Sequence, residues 1–184
     1  MLESIEDKDK WGRYTFLGFD PLLEFTCQDG EVNIKGDFSS YKHSDLNKSD
    51  IFTTTTNNPR KYIKQIIEEN KTPRLKDLPP FTGGLVGYFA YDYIKYSEPS
   101  LNLDAENQDG FKDVDLMLFD KVIVFDNFKQ KIIIIINIQT ENIDENYENA
   151  AIELKNIVKI IKHGKPAKIK SLKIILSVYY NLIL

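Results

Sequence analysis

The first 40 residues contain short hydrophobic runs that are separated by turn residues. The stretch RYTFLGF is rich in β-branched and aromatic residues, and an Asp-Pro step follows it. LLEFTCQDGEVNIKG contains two runs joined at Asp29-Gly30, a pair that tolerates the positive φ angles of a tight hairpin turn. These patterns predict short strands, and the polar residues 37–57 are predicted to be loop-like or weakly structured.

Two later segments have the spacing of amphipathic helices. In NNPRKYIKQIIEENKTP, Asn58 is a predicted cap, Pro59 fits the first turn and Pro73 ends the helix. DENYENAAIELKNIVKIIKHG begins at Asp144 with acidic residues, and Gly164 is its predicted C-cap. The apolar faces predicted from the spacing are Tyr62, Ile63, Ile66 and Ile67 in the first helix, and Tyr147, Ala150, Leu154, Ile157, Val158 and Ile161 in the second.

Between these helices, two apolar runs flank a short polar connection. They are VDLMLFDKVIVFD and QKIIIIINI, joined through residues 127–129. The second run is apolar on both faces, so the pair is predicted to be a long hairpin in the centre of a sheet. Overall, the patterns predict an α+β fold with a largely antiparallel sheet and flanking helices. The predicted domain spans residues 1–166, and an apolar tail follows at 167–184.

Composition limits the classes of partner. The chain has 184 residues, a formal net charge of −4 and one cysteine, Cys27. An acidic balance argues against nucleic acid or an anionic membrane as the main partner. The apolar runs are shorter than the roughly 20 residues of a spanning helix. The amino terminus lacks the apolar region of a signal peptide, and a single cysteine suits a reducing compartment, so we expect a cytoplasmic protein.

The most unusual segment is PPFTGGLVGYFAYDYIKY at residues 79–96. Gly83, Gly84 and Gly87 fit neither a dinucleotide fingerprint nor a phosphate-binding loop, because the required lysine and helix start are missing. Glycine inside a strand usually marks a bulge or a closely approaching backbone. The alternation from residue 85 to 92 therefore predicts a buried strand pressed against a neighbouring element.

The reactive side chains do not form a recognisable catalytic pattern. His43 and His163 have no ligand partner at metal-site spacing, and Cys27 is predicted to be an ordinary core cysteine. The paired carboxylates are typical of strand ends and helix faces, and none stands out as an acid/base dyad. From the residues alone, we predict no catalytic group and no metal site in this chain.

Three stretches of the sequence together resemble a known family. They are LESIEDKDKWGRYTFLGFDP, LPPFTGGLVGYFAYDYIKYSEP and DVDLMLFDKVIVFDNFKQKI, in that order. They resemble the N-terminal domain of anthranilate synthase component I, over about residues 2–166. The family includes para-aminobenzoate synthase component I, and FTGGLVGYFAYD is closer to the anthranilate branch.

The resemblance implies a two-sheet structure in which this domain interleaves with a larger chorismate-binding domain. The implied reaction is the conversion of chorismate to anthranilate and pyruvate, with glutamine-derived ammonia and Mg²⁺, in tryptophan biosynthesis. The chorismate, Mg²⁺ and catalytic residues of the family belong to the other domain, so no cofactor is expected in this chain. The implied partners are that domain and the glutamine amidotransferase subunit, component II.

The resemblance also implies an L-tryptophan feedback site. Leu2, Glu3 and Ser4 match the family's regulatory LES element, and Arg13 stands where a basic residue lies near it. Glu3 suits an amino-acid ammonium group, and Ser4 can hydrogen-bond the ligand or backbone. Arg13 supplies a charged fork or compensates charge at longer range. An ordinary strand end with a surface carboxylate is the alternative interpretation.

The ends of the chain depart from the family pattern. The LES element begins at the initiator Met1, and the resemblance fades after about Pro166. We therefore expect an incomplete protein with a shifted or truncated reading frame, or alternatively a short extra strand at the tail. We expect no anthranilate synthesis by the chain alone. Alternative functions are an aminobenzoate synthase fragment, a stand-alone amino-acid sensor and a non-functional remnant.

Overall fold

In the computed structural model, the described residues are 1–3, 12–36, 51–98, 100–101 and 110–165. They form two antiparallel sheets with a few helices, which confirms the predicted α+β class. The strands are β1 Leu2–Glu3, β2 Tyr14–Gly18, β3 Leu23–Gln28, β4 Glu31–Gly36, β5 Ile51–Thr55, β6 Gly84–Phe89, β7 Val114–Phe119, β8 Lys121–Asp126 and β9 Lys131–Ile136. The helices are α1 Arg60–Glu69, a 3₁₀ helix Tyr91–Tyr96 and α2 Ile143–His163.

The larger sheet has five strands in the order β5-β4-β3-β7-β6. One face is apolar because alternate residues of the paired strands point the same way, as in the row Cys27, Val32 and Val114. Helix α1 covers this face with Ile63 and Ile66. The main core consists of Leu23, Phe25, Cys27, Val32, Ile34, Ile63, Ile66, Val114, Leu116 and Leu118.

The predicted Asp29-Gly30 hairpin turn is confirmed. It joins β3 to β4, and both turn residues have positive φ, 48° for Asp29 and 82° for Gly30. Such angles match the twist of two antiparallel strands, and Asp and Gly are among the residues that tolerate them.

The smaller sheet has four strands in the order β1-β2-β8-β9. Val122 and Val124 of β8 are buried in it. Helix α2 packs against β9, and Lys121 of β8 forms an ion pair with Glu153 of α2 at 3.1 Å. The acidic first turn and the Gly164 C-cap of α2 agree with prediction.

The apparent long strand VDLMLFDKVIVFD is two strands in different sheets. β7 belongs to the larger sheet and β8 to the smaller one, with Asp120 between them. The predicted hairpin is therefore confirmed only for β8 and β9. The central position predicted for the isoleucine run is wrong, because β9 pairs with β8 alone within the described ranges. Packing of α2 against β9 explains part of its apolar character without a second neighbouring strand.

Smaller corrections concern the edges of elements. Residues 51–55 form strand β5 rather than loop, since their β-branched threonines suit an edge strand. The N-cap of α1 is Pro59 rather than Asn58. The predicted helix stripes are only partly covered: Ile67 is 49% exposed, and Ile157 is the one buried position of the stripe on α2.

Candidate functional site

Arg13 lies directly before β2, where it forms a paired ion bridge to the end of β8. Its Nε donates to Asp126 Oδ1 at 3.1 Å and its Nη2 to Asp126 Oδ2 at 2.8 Å. The guanidinium also stacks over the rings of Tyr14 and Phe128, at 4.8 and 5.6 Å from their centroids. Planar, two-point contacts of this kind hold an arginine in one orientation. Arg13 therefore fixes the β2–β8 pairing at this corner.

Asp126 is buried, and its environment favours the charged form. The Arg13 hydrogen bonds lower the pKa of the Asp126 carboxyl to about 2, and the Lys129 amide at 2.9 Å adds to this effect. Burial acts in the opposite direction but is the smaller influence. The carboxylate thus joins the start of β2 to the β8–β9 turn.

The predicted ligand residues lie next to this corner. Leu2 pairs with Phe16 and Glu3 with Thr15 across β1 and β2. Ser4 lies outside the described residues. Arg13 thus lies at the start of the strand that pairs with β1, but its guanidinium binds Asp126 of β8, on the other side of that strand. Whether they bind a ligand stays a prediction.

The glycine-aromatic segment is an edge strand followed by a 3₁₀ helix. β6 ends at Phe89, and Tyr88 and Phe89 are 41% and 52% exposed, so the prediction of a buried strand to residue 92 is wrong. The close approach predicted for its glycines is confirmed at Gly87, where an added Cβ would lie 1.9 Å from the Asp115 carbonyl oxygen. β6 therefore packs closely against the backbone of β7, but its last side chains are not buried.

The 3₁₀ helix is anchored by a polar network around Tyr96. The Tyr96 hydroxyl donates to Asp113 Oδ2 at 2.7 Å and accepts from the Gly30 amide at 2.6 Å. Lys95 bridges Asp113 and Asp29, each at 2.9 Å. Burial and the Asp113 hydrogen bond raise the pKa of Tyr96. Burial opposes ionisation of Asp113, but the hydrogen bonds from Tyr96 and Lys95 outweigh it and lower the pKa of this carboxyl. The network links the helix to the β3–β4 turn.

A cavity of about 430 Å³ lies where the chain passes from one sheet to the other. Its walls are the end of α1 with the following residues, the start of β6, the end of β7 with Asp120, the end of β9 with the following residues, and one face of α2. Asn137 lines the cavity and connects two of its walls, because its Nδ2 donates to the carbonyls of Thr82 at 2.7 Å and Asp120 at 3.0 Å. Gly83 permits this contact, since an added Cβ would lie 2.6 Å from Asn137 Nδ2.

Asp120 is the chemically distinctive group of this cavity. Its Oδ1 is buried and has no hydrogen-bond partner among the residues that the structure describes. Burial raises the pKa of this carboxyl, and the amides of residues 120 and 121 and the charge of Lys121 offset the effect only in part. Sequence patterns do not distinguish Asp120 from the other carboxylates at strand ends. The one sequence feature that sets it apart is that it interrupts a long apolar run.

The other predicted side chains are structural or exposed. Cys27 is buried in the main core, as expected, with Sγ 3.5 Å from the Tyr96 hydroxyl. His163 is exposed at the end of α2, and His43 lies outside the described ranges. Within the described ranges, no cluster of three metal-binding side chains occurs. Nor does any helix there have the length and apolarity to cross a membrane.

Comparison of this chain with known protein families identifies the class to which it belongs. The family model for chorismate binding enzymes matches residues 5–178. Because the match spans most of the chain, the protein belongs to the chorismate-binding enzyme family. The resemblance noted in the sequence is thereby confirmed.

Two relatives and one solved structure bear the same protein name, anthranilate synthase component 1 or I. The present chain is 33% identical over 165 residues to anthranilate synthase component 1 of Acinetobacter calcoaceticus, covering 88% of this chain and 31% of that one. It is 34% identical over 167 residues to the Aquifex aeolicus protein of the same name, with the same coverage. The crystal structure of anthranilate synthase component I from Streptococcus pneumoniae TIGR4 superposes with a TM-score of 0.60 at 21% identity, covering 91% and 32% of the two chains. The chain thus spans about a third of the length of these relatives.

Proposed function

We propose that this chain is the N-terminal portion of anthranilate synthase component I, acting in tryptophan biosynthesis from chorismate. The observation that carries the proposal is the identity of about a third over 88% of the chain with relatives that bear this name. The two-sheet fold shared with the S. pneumoniae protein supports it. In this interpretation the chain serves as a structural and regulatory portion of a larger cytoplasmic lyase.

The proposed catalytic step requires more than this portion. Chorismate and Mg²⁺ would be held by the chorismate-binding domain, and component II would deliver ammonia from glutamine. The chain would contribute a sheet face on which that domain packs. Its outward-facing apolar side chains on β6 and β7, Tyr88 and Met117, are 41% and 38% exposed, which suits such a contact.

We further propose that β1 forms part of an L-tryptophan feedback site. Glu3 would pair with the ligand ammonium, and Leu2 and Ser4 would flank it. Arg13 contributes as a positioning residue, since its guanidinium is held by Asp126 at 2.8 and 3.1 Å. It would hold β2, the strand that pairs with β1, against β8 instead of pairing with the ligand carboxylate.

Tryptophan binding can be tested by calorimetry on this chain combined with the remaining part of the Acinetobacter relative. Glu3→Gln is expected to weaken tryptophan binding about tenfold or more, because a charge-assisted hydrogen bond is worth roughly 1.5–3 kcal/mol. Glu31→Gln, at the exposed first position of β4, is the matched control. Unchanged affinity in Glu3→Gln would contradict the regulatory assignment but leave the enzyme assignment intact.

A further inference from the structure

Helix α2 carries a row of apolar side chains that the described part of the chain leaves uncovered. Ile143, Tyr147, Leu154 and Ile161 are 53%, 68%, 39% and 41% exposed. Their spacing of four or seven residues places them in one line along the helix, as in the seam of a helix pair. Ile157 is the one buried residue of α2, so this exposed row is a surface and not part of the core.

The charges on one flank of the exposed row are sorted by sign along the helix. Asp144 and Glu148 lie in the first half of α2, Lys155 and Lys159 lie in the second half, and all four are exposed. The helix dipole favours this order only in the terminal turns, and of these four residues only Asp144 lies in one. Each like-charged pair is four residues apart, a spacing at which like charges repel within a helix. The order of charges is therefore not explained by contacts within α2.

A second, antiparallel copy of α2 complements both features. In a two-fold symmetric antiparallel pair, the same flank of both helices lies together, so the acidic half of one helix faces the basic half of the other. The register that places Glu148 opposite Lys155 of the second copy also places Asp144 opposite its Lys159. Within one residue, this register places Ile143 opposite Ile161, so the apolar rows and the charges match together.

We propose that two copies of this chain form a two-fold symmetric dimer through antiparallel pairing of α2. A second copy fits better than an unrelated protein, because the two halves of this helix are complementary in charge to each other. The paired stretch from Ile143 to Ile161 is about 28 Å long, at 1.5 Å per residue. This surface is separate from β1 and from the apolar face of β6 and β7, since it lies entirely on α2.

Charge reversal tests the pairing by sedimentation equilibrium of the full 184-residue chain. Asp144→Lys with Glu148→Lys makes the flank basic throughout, and Lys155→Glu with Lys159→Glu makes it acidic throughout. Each double variant should dimerise about tenfold or more weakly than the parent, because attractive pairs across the interface become repulsive. An equimolar mixture of the two variants should form a mixed dimer at least as strongly as the parent, which also shows that both variants are folded.

Two controls isolate the contact through α2. Lys61→Glu with Lys64→Glu makes the same change of charge at exposed positions of α1 and should dimerise like the parent. Every chain in the test, the parent included, carries Tyr88→Asp and Met117→Lys, so that the exposed face of β6 and β7 does not contribute to association.

Cross-linking with a short bismaleimide reports the direction of the pair. Ala151 lies at the middle of α2, so Ala151→Cys should cross-link to its copy in an antiparallel dimer. Ile143→Cys should not, since it would lie about 25 Å from its copy along the helix. The native Cys27 is buried. A monomeric parent, equal dimerisation of parent and charge variants, no recovery in the mixture, or cross-linking of Ile143→Cys would overturn the proposal. None of these readouts depends on chorismate turnover.

Discussion

At the scale of single residues, the chain is held together by a few groups whose partners are distant in sequence. Asp126 joins Arg13 to the β8–β9 turn, and Asp113 joins Tyr96 to the β3–β4 turn. Sequence patterns could not identify these pairs, because a carboxylate at a strand end has the same appearance whether it is solvated or buried. Only the fold determines which of these carboxylates are buried away from water.

Asp126 should make the stability of the chain depend on pH in the acid range. Its native pKa of about 2 lies below the unfolded value of about 3.9, so its contribution is complete above pH 4 and is lost as pH falls toward 2. Urea unfolding of Asp126→Asn should show lower stability than the parent at pH 6 and a smaller decline between pH 4 and 2. Asp77→Asn, at an exposed position, is the control. An identical acid decline in the parent and Asp126→Asn would contradict this assignment.

Gly87 should not tolerate a side chain. A Cβ there would lie 1.9 Å from the carbonyl oxygen of Asp115 and 2.8 Å from the Leu116 Cα, both backbone atoms of the paired strand. Gly87→Ala should therefore lower the free energy of unfolding by about 1–3 kcal/mol. Gly18→Ala is the comparison, because its Cβ would meet the movable ring of Phe119 at 2.8 Å. A smaller loss for Gly87→Ala than for Gly18→Ala, measured by urea unfolding, would count against the close-approach role.

At the scale of secondary-structure elements, sequence patterns predicted the features that depend on neighbouring residues in the chain. The Asp29-Gly30 hairpin, both helices and their approximate ends followed from turn chemistry and periodicity. Sheet membership did not, because one continuous apolar run covers β7 and β8, which belong to different sheets. The lone Asp120 between them carries no local signal for a crossing. Likewise, the isoleucines of β9 predicted a central strand, although helix packing accounts for part of their apolar character.

Helix α1 offers an internal test of which face is in the core. Ile66 is 1% exposed and its neighbour Ile67 is 49% exposed. Ile66→Ala should lower the free energy of unfolding by about 2–5 kcal/mol through lost burial and a cavity. Ile67→Ala should cost well under half as much, since much of its side chain is already in water. Equal losses in a urea titration would mean that the helix is rotated from this orientation.

At the scale of the whole molecule, the chain passes from one sheet to the other after β2 and again after β7, and it leaves apolar surface uncovered. Val86, Tyr88 and Met117 lie on the same outward face of β6 and β7, as their cross-strand register shows. Sequence patterns predicted the α+β class, and the resemblance to a known family predicted the two-sheet structure. The cavity at the crossing required the structure, because its walls come from segments distant along the chain.

This apolar face should make the pure chain associate. Tyr88→Asp with Met117→Lys should reduce self-association and binding of a hydrophobic dye, because both side chains are exposed on that face. Leu75→Lys, at an exposed position outside that face, is the control. A strictly monomeric parent chain in analytical ultracentrifugation that does not bind the dye would contradict the expectation.

The central claim is that this chain is the N-terminal portion of anthranilate synthase component I. The most direct measurement combines the chain with the part of the Acinetobacter calcoaceticus relative that lies outside its matching third. The mixture is supplied with chorismate, Mg²⁺ and ammonium, and its products are identified. We expect anthranilate from the combination and none from either part alone. An aminated chorismate without anthranilate, or no product from a combination that forms a stable complex, would contradict the claim.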